Sequence, residues 1–251
     1  MNLRAIAVLL SAFISGAASG AEIGLEGSGS ESKQFYLRGQ IEPGDSERLH
    51  RLILDHLQNG AGGMISVSSP GGDAREAQEI ASLIRKYHFA VSVVDEGCFS
   101  SCFFLFAAAP VRGQRLSPNS DKSAPIGVHR IYLSEKSAVN ISLEDYRLVS
   151  EKLWRGTSDY LEELQVPSHI IELVRNTASG EIRILSRSEV DSMGFFSPWH
   201  REFVKARCGI DFDPTKDWEE QTQIEVFACS AKAIADAQRL TLARDRAFGE
   251  P

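Results

Sequence analysis

Five residues in the 251-residue chain have side chains or backbones suited to acyl transfer: Gly71, Gly72, Ser100, Ser101 and His129. Residues 95–109 read DEGCFSSCFFLFAAA, with Ser100 and Ser101 bracketed by Cys98 and Cys102. A β-branched run at 90–94 precedes them and an unbroken apolar segment at 103–109 follows. That order predicts strand, tight turn and buried helix. A serine at such a junction is exposed on one side and backed by the first amides of a helix, as an acyl-transfer nucleophile requires. The plainer reading of the same residues is a pair of serines capping a core helix.

The other groups lie at comparable junctions. Residues 64–68 read as a strand that runs into Ser69-Pro70-Gly71-Gly72, where a proline and two glycines let the backbone turn sharply and leave amides unpaired above the sheet. Residues 125–128 form another short apolar strand ending in His129, and a histidine there could serve as general base.

The elements that must position these residues alternate. Phe35, Leu37 and Ile41 mark a strand that stops at Pro43 and Gly44, and Leu49, Leu52, Ile53 and Leu57 recur at helical spacing after it, leaving His50 and His56 as surface or flank histidines. Ala74, Ala77, Ile80, Ala81 and Ile84 line a second helix. Strand, helix, strand, helix with right-handed crossovers gives an α/β fold with a mainly parallel sheet, whose carboxyl ends gather on one side. The Gly71-Gly72 loop, Ser100 and His129 should therefore meet there. Ser142 and Asp145 resemble a capping box opening a helix of about twenty residues, which could pack on its own domain or on another subunit. Ser186 to Glu189 is a second capping box, and a final helix over about 219–247 closes a helical tail whose last part, rich in Arg and Asp, reads as a solvated face.

Composition sets the compartment. Arg4, an apolar stretch at 5–14 and Ser19-Gly20-Ala21 read as a secretory leader over residues 1–21, with a retained anchor as the alternative. Residues 22–33, rich in Gly, Ser and Glu, read as a flexible lead-in. Export to the periplasm or beyond favours oxidised thiols, and of three possible pairings Cys98 with Cys102 and Cys208 with Cys229 each lie within one local segment. The cysteine spacings match no zinc pattern, and no cofactor is implied. Scattered basic residues and a formal charge of −7 argue against a nucleic-acid partner.

Over residues 34–197 the chain resembles the proteolytic subunit of the Clp protease and its periplasmic relatives in the ClpP/crotonase superfamily. Phe35 to Ile41 looks like that family's first strand, Ser69-Pro70-Gly71-Gly72 is identical to its Ser-Pro-Gly-Gly loop, and Ser100 stands at the family serine's offset from Ala107-Ala108-Ala109. Residues 126–129 resemble the strand with the catalytic histidine, and 185–194 the family's Leu-Ser-x-x-Glu-Ala-x-x-x-Gly helix. The tail at 198–251 has no counterpart.

The resemblance implies a ClpP/crotonase-like fold of repeated β-β-α units and a serine peptidase acting on peptides or unfolded proteins. Ser100 is its nucleophile, with Ser101 as the rival; His129 is its base, and the amides of Gly72 and Ser101, shaped by Gly71, form its oxyanion hole. It also implies a homo-oligomer. An exported protein meets no ATP, so an ATPase partner is not carried over, and the lack of CoA argues against a crotonase-type enzyme. The chain departs from the pattern at two places: Cys98 and Cys102 flank the serine where the family has small residues, and Ile182 stands where the family has its triad aspartate, leaving Glu181 as a stand-in, or a Ser-His dyad, or a non-catalytic peptide-binding module.

Overall fold

The structure, a computed structural model, describes residues 20–27, 34–57, 63–116, 122–133, 141–212 and 220–248. Residues 1–19 of the expected leader, and residues 28–33 of the lead-in, lie outside these. The first half of the chain runs β1 (Glu22–Glu26), β2 (Gln34–Arg38), α1 (Asp45–His56), β3 (Met64–Ser69), α2 (Ala74–Lys86), β4 (Ala90–Phe99) and α3 (Cys102–Ala108). The second half adds β5 (Arg112–Gln114), β6 (Ile126–Val128), α4 (Leu143–Glu163), α5 (Ser168–Asn176), β7 (Arg183–Ile184), α6 (Arg187–Ser192), α7 (Pro198–Cys208) and α8 (Glu220–Phe248).

The fold is α/β, built on one mixed seven-stranded sheet in the order β1-β2-β3-β4-β6-β7, with β5 also paired to β4. The middle pairs are parallel, and the edge strands β1 and β7 run antiparallel to β2 and β6. β2, β3 and the first half of β4 bury apolar side chains on one face of the sheet, where Phe35, Leu37, Ile65, Val67, Val91 and Val93 lie in register and are all essentially inaccessible. Each such side chain contributes about 1.5–3 kcal/mol on leaving water. α2 presents Ala77, Ile80, Ala81 and Ile84 to this core, and Asp73 caps it by accepting the Glu76 amide at 2.9 Å. α3 is buried on every side, which is why its sequence is apolar without interruption.

β4 changes partners partway along. Val91 to Val93 pair with β5, whereas Cys98 and Phe99 pair with Ile126 and Gly127 of β6. The switch occurs at Asp95 and Gly97, which have φ of 50° and 111°, and the register against β3 slips there, from Val67 opposite Val93 to Ser69 opposite Cys98. The bend thus aims the end of β4, and the serines after it, at the strand that carries His129.

Three expectations are corrected. Composition predicts an unpacked lead-in at 22–33, yet Glu22–Glu26 forms β1, which is held by its ladder to β2 and packs Ile23 and Leu25 on the main core. His50 is not a surface histidine. It is buried, 3% accessible, with Nε2 2.8 Å from the Tyr87 hydroxyl, and that hydroxyl donates to Asp245 of α8 at 2.5 Å. The end of α8 is accordingly not a solvated face throughout: Asp245 is buried and also takes Lys86 at 2.7 Å, while the Gln238 amide donates to the Tyr87 carbonyl at 2.6 Å. The tail folds back along the main core. Phe196, Val204, Phe212 and Val226 form a second small core with it, and the Cys208–Cys229 disulfide joins α7 to α8.

Candidate active site

Ser100 occupies the turn between β4 and α3. Its φ of 56° lies in the left-handed region, which costs a non-glycine residue on the order of 1–3 kcal/mol and is held only where the surroundings dictate it. Two constraints do so here. The Ser100 amide donates to the Gly127 carbonyl of β6 at 3.0 Å, and the Cys98–Cys102 disulfide, with α-carbons 5.4 Å apart, spans the turn from the last residues of β4 to the first of α3. The serine side chain is half-buried, and among the described residues its hydroxyl has no hydrogen-bond partner.

Ser101 differs in kind. It is 2% accessible and its hydroxyl donates to the Gly72 carbonyl at 3.2 Å. The hydroxyl free to react is that of Ser100.

The glycine loop lies against this turn. Gly71 has φ 95°, and a β-carbon on it would fall 2.7 Å from the β-carbon of Ser100 and 2.7 Å from the Phe99 carbonyl. Gly72 has φ 149°, and its β-carbon would fall 2.0 Å from the Ile41 carbonyl. Both positions therefore exclude a side chain. Ser69 fixes the bend by accepting the Gly71 amide on its hydroxyl at 3.0 Å.

The direction of the Gly72 amide follows from the pairing with Ile41. The Ile41 amide donates to the Gly71 carbonyl at 2.8 Å, and the Asp73 amide donates to the Ile41 carbonyl at 2.9 Å. In a parallel pair the residue flanked by those two bonds turns its own N–H and C=O to the opposite side. Gly72 does so, since its carbonyl receives Ser101 on that side. Its N–H therefore faces the serine turn. Among the described residues neither this amide nor that of Ser101 has an acceptor.

His129 follows β6 directly and is 8% accessible. Its Nδ1 lies 2.9 Å from the Arg130 carbonyl, which can only accept, so Nδ1 carries the proton and Nε2 of the neutral ring keeps the lone pair. That is the tautomer of a general base acting through Nε2. Its ring also meets Tyr132, with centroids 5.8 Å apart. No hydrogen bond joins His129 to Ser100 in this structure. They sit at the carboxyl ends of adjacent parallel strands, with Phe99 registered to Gly127. A cleft of about 430 Å³ opens next to the histidine, lined by Arg130, Tyr132, Tyr146, Arg147 and Trp154 among others.

The sequence-predicted orienting carboxylate does not reach the ring. Glu181 is exposed, its amide donates to the Ala178 carbonyl at 3.0 Å, and among the described residues it makes no hydrogen bond to His129. Val128 registers with Arg183 and Gly127 with Ile184, so continuing the ladder sets Ile182 opposite His129. The Ile182 methyl packs over Gly127, on the face that His129 shares two residues on.

Three supporting residues escaped sequence reasoning: the Arg130 carbonyl, the Ser69 hydroxyl and Arg112. Arg112 is buried, its guanidinium donates to the Ala107 and Met193 carbonyls, and burial lowers its pKa to about 10. It thereby closes the carboxyl end of the helix that follows Ser100. A lone arginine in a polar stretch gives no sign of this; only its apolar neighbours after the fold forms do.

Among the described residues no cluster of three or more His, Cys, Asp or Glu is arranged to hold a metal ion, and no helix is long and apolar enough to cross a membrane. No protein-family model matches the chain, and no curated protein matches it.

Proposed function

We propose that the protein is a ClpP-like serine peptidase, exported and disulfide-bonded, that cleaves peptide bonds through an acyl-enzyme on Ser100. The observation that carries this reading is the strained Ser100 turn, with its hydroxyl unbonded and the free amides of Gly72 and Ser101 beside it. His129 Nε2 takes the serine proton as Oγ attacks the scissile carbonyl, and the two amides receive the negative charge that develops on the carbonyl oxygen. The protonated imidazole then returns its proton to the leaving amine, and water, activated by the same nitrogen, releases the acyl group. The Arg130 carbonyl replaces the usual carboxylate in holding Nδ1–H. A carbonyl dipole stabilises an imidazolium less than a carboxylate does, so the enzyme is slow by the standard of complete triads.

A second reading follows from the missing Ser100–His129 hydrogen bond: a module that holds extended peptide in the same place without cutting it. Catalytic hydrogen bonds are often long in unliganded enzymes and tighten with substrate, which favours the peptidase. A fluorophosphonate probe applied to the folded, oxidised protein separates the two. The peptidase is labelled at Ser100, and labelling disappears in Ser100→Ala and His129→Ala. A wild-type protein that takes up no label is the binding module.

A further inference from the structure

Ala21 is held at three points. Its methyl group is 1% accessible and belongs to the main core, its amide donates to Asp45 Oδ2 at 3.0 Å, and its carbonyl accepts Arg48 Nη2 at 2.9 Å. Asp45, at the first position of α1, is itself 1% accessible, and it also accepts the Glu42 amide at 2.9 Å and an ion pair from Arg48. A carboxylate is rarely buried this completely unless cations compensate it. Arg48 is one, but its side chain is 43% accessible, so much of its charge stays with solvent.

The residue before Ala21 is equally constrained. A β-carbon on Gly20 would lie 2.4 Å from Asp45 Oδ1 and 2.8 Å from Arg48 Nη2, so no side chain fits there. Ala18 and Gly20 are also a small-x-small pair of the kind that leader-removing peptidases accept.

We infer that the leader is cut between Gly20 and Ala21, one residue earlier than the Ser19-Gly20-Ala21 reading, and that Asp45 is the receptor for the new amino terminus. Hydrolysis by a processing peptidase adds water across the Gly20–Ala21 peptide bond, leaving a carboxylate on Gly20 and an amine on Ala21. At neutral pH that amine is mostly protonated and becomes an ammonium where the peptide N–H had been, against Oδ2 of Asp45. Removal of the leader thereby supplies the buried carboxylate with a second cation and locks β1 onto α1. A cut after Ala21 would instead empty the pocket and leave Asp45 without this partner.

The inference rests on residues 1–20 being a cleaved leader, and the test separates the two. The full chain with its own leader is expressed in an exporting bacterial host, and the amino terminus of the periplasmic product is read by mass spectrometry. A start at Ala21 is expected. A start at Glu22 or beyond overturns the receptor assignment while keeping the leader, and an uncut product overturns both. A second measurement compares mature chains beginning at Ala21 and at Gly20, each with Asp45 and with Asp45→Asn. The Gly20 start displaces the ammonium and should lower the melting temperature by about 3 °C, and Asp45→Asn should abolish that difference. Equal melting of the two wild-type starts overturns the inference even if the Asp45 variants do not fold.

Discussion

The Ser101 hydroxyl donates to the Gly72 carbonyl at 3.2 Å, tying the first turn after the candidate nucleophile to the loop that supplies the facing amide. The two unbonded amides are thus held to each other through one side chain. Ser101→Ala cuts that tie without touching Ser100. Fluorophosphonate labelling should persist at Ser100, while peptide turnover falls about tenfold to a hundredfold as the amides lose their mutual alignment. Loss of all labelling in Ser101→Ala would identify Ser101 as the reacting serine.

Ile182 lies one step beyond the last registered pair of β6 and β7, on the side of His129, and is 46% accessible, so a carboxylate can be introduced there without burying a charge. Ile182→Asp should offer Nδ1–H an anionic acceptor in place of the Arg130 carbonyl. The expected result is a rise in kcat/KM on the order of tenfold or more, with little change in melting temperature. The gain should vanish in the double variant with His129→Ala. Unchanged turnover would mean that imidazole orientation does not limit the rate.

The Cys98–Cys102 disulfide closes only the turn that carries Ser100. So short a loop contributes little to global stability, about 2 kcal/mol. Its local effect should be larger, because displacement of a reacting atom by about 1 Å can cost a hundredfold in rate. Cys98→Ala with Cys102→Ala should therefore fold, melt a few degrees lower, and lose most of its reactivity toward the fluorophosphonate. An equal change to the Cys208–Cys229 pair should leave that reactivity intact, since that bond joins α7 to α8.

Acid should destabilise the protein through two histidines outside the site. His88 packs on Phe203 and Trp199, and His200 bonds Ser230 at 3.0 Å; burial lowers each pKa to about 4, with Arg207 adding to the shift of His88 and His88 to that of His200. Both are neutral in the folded protein where the unfolded chain, titrating near 6.5, already binds protons. The unfolded state thus takes up more protons between about pH 6.5 and 4, and stability falls as pH drops through that window. The melting temperature should decline by something on the order of 10 °C across it. His88→Asn, which tolerates the φ of 51° at that position, should flatten the decline even if it lowers stability at neutral pH.

Much of the fold was legible because the repeating units declare themselves locally. The periodic apolar residues of α2 and the box at Ser186 to Glu189 both form as their spacing predicts. Both cysteine pairs were readable for the same reason, each being close along the chain or within one segment. The misread residues depend on distant partners. His50 looks like a flank histidine until Tyr87, just past α2, and Asp245 of α8 meet it, and the short alternation of Ile23 and Leu25 in β1 is hidden in a Gly- and Glu-rich stretch until β2 supplies its bonds. At the site, residue type gave Ser100, His129 and the glycines, but not that the Nδ1 acceptor is a backbone carbonyl, which every residue carries and no sequence pattern marks.

The docking of α8 has a bearing on the order in which the chain is completed. Asp245 accepts from Tyr87 and Lys86, and Gln238 donates to the Tyr87 carbonyl, yet these two side chains emerge from the ribosome after every other described element. Until they arrive, Tyr87 lacks its native acceptor and His50 lacks the nearby carboxylate. Of the described elements, the one that comes last along the chain is thus the one that completes this part of the interior.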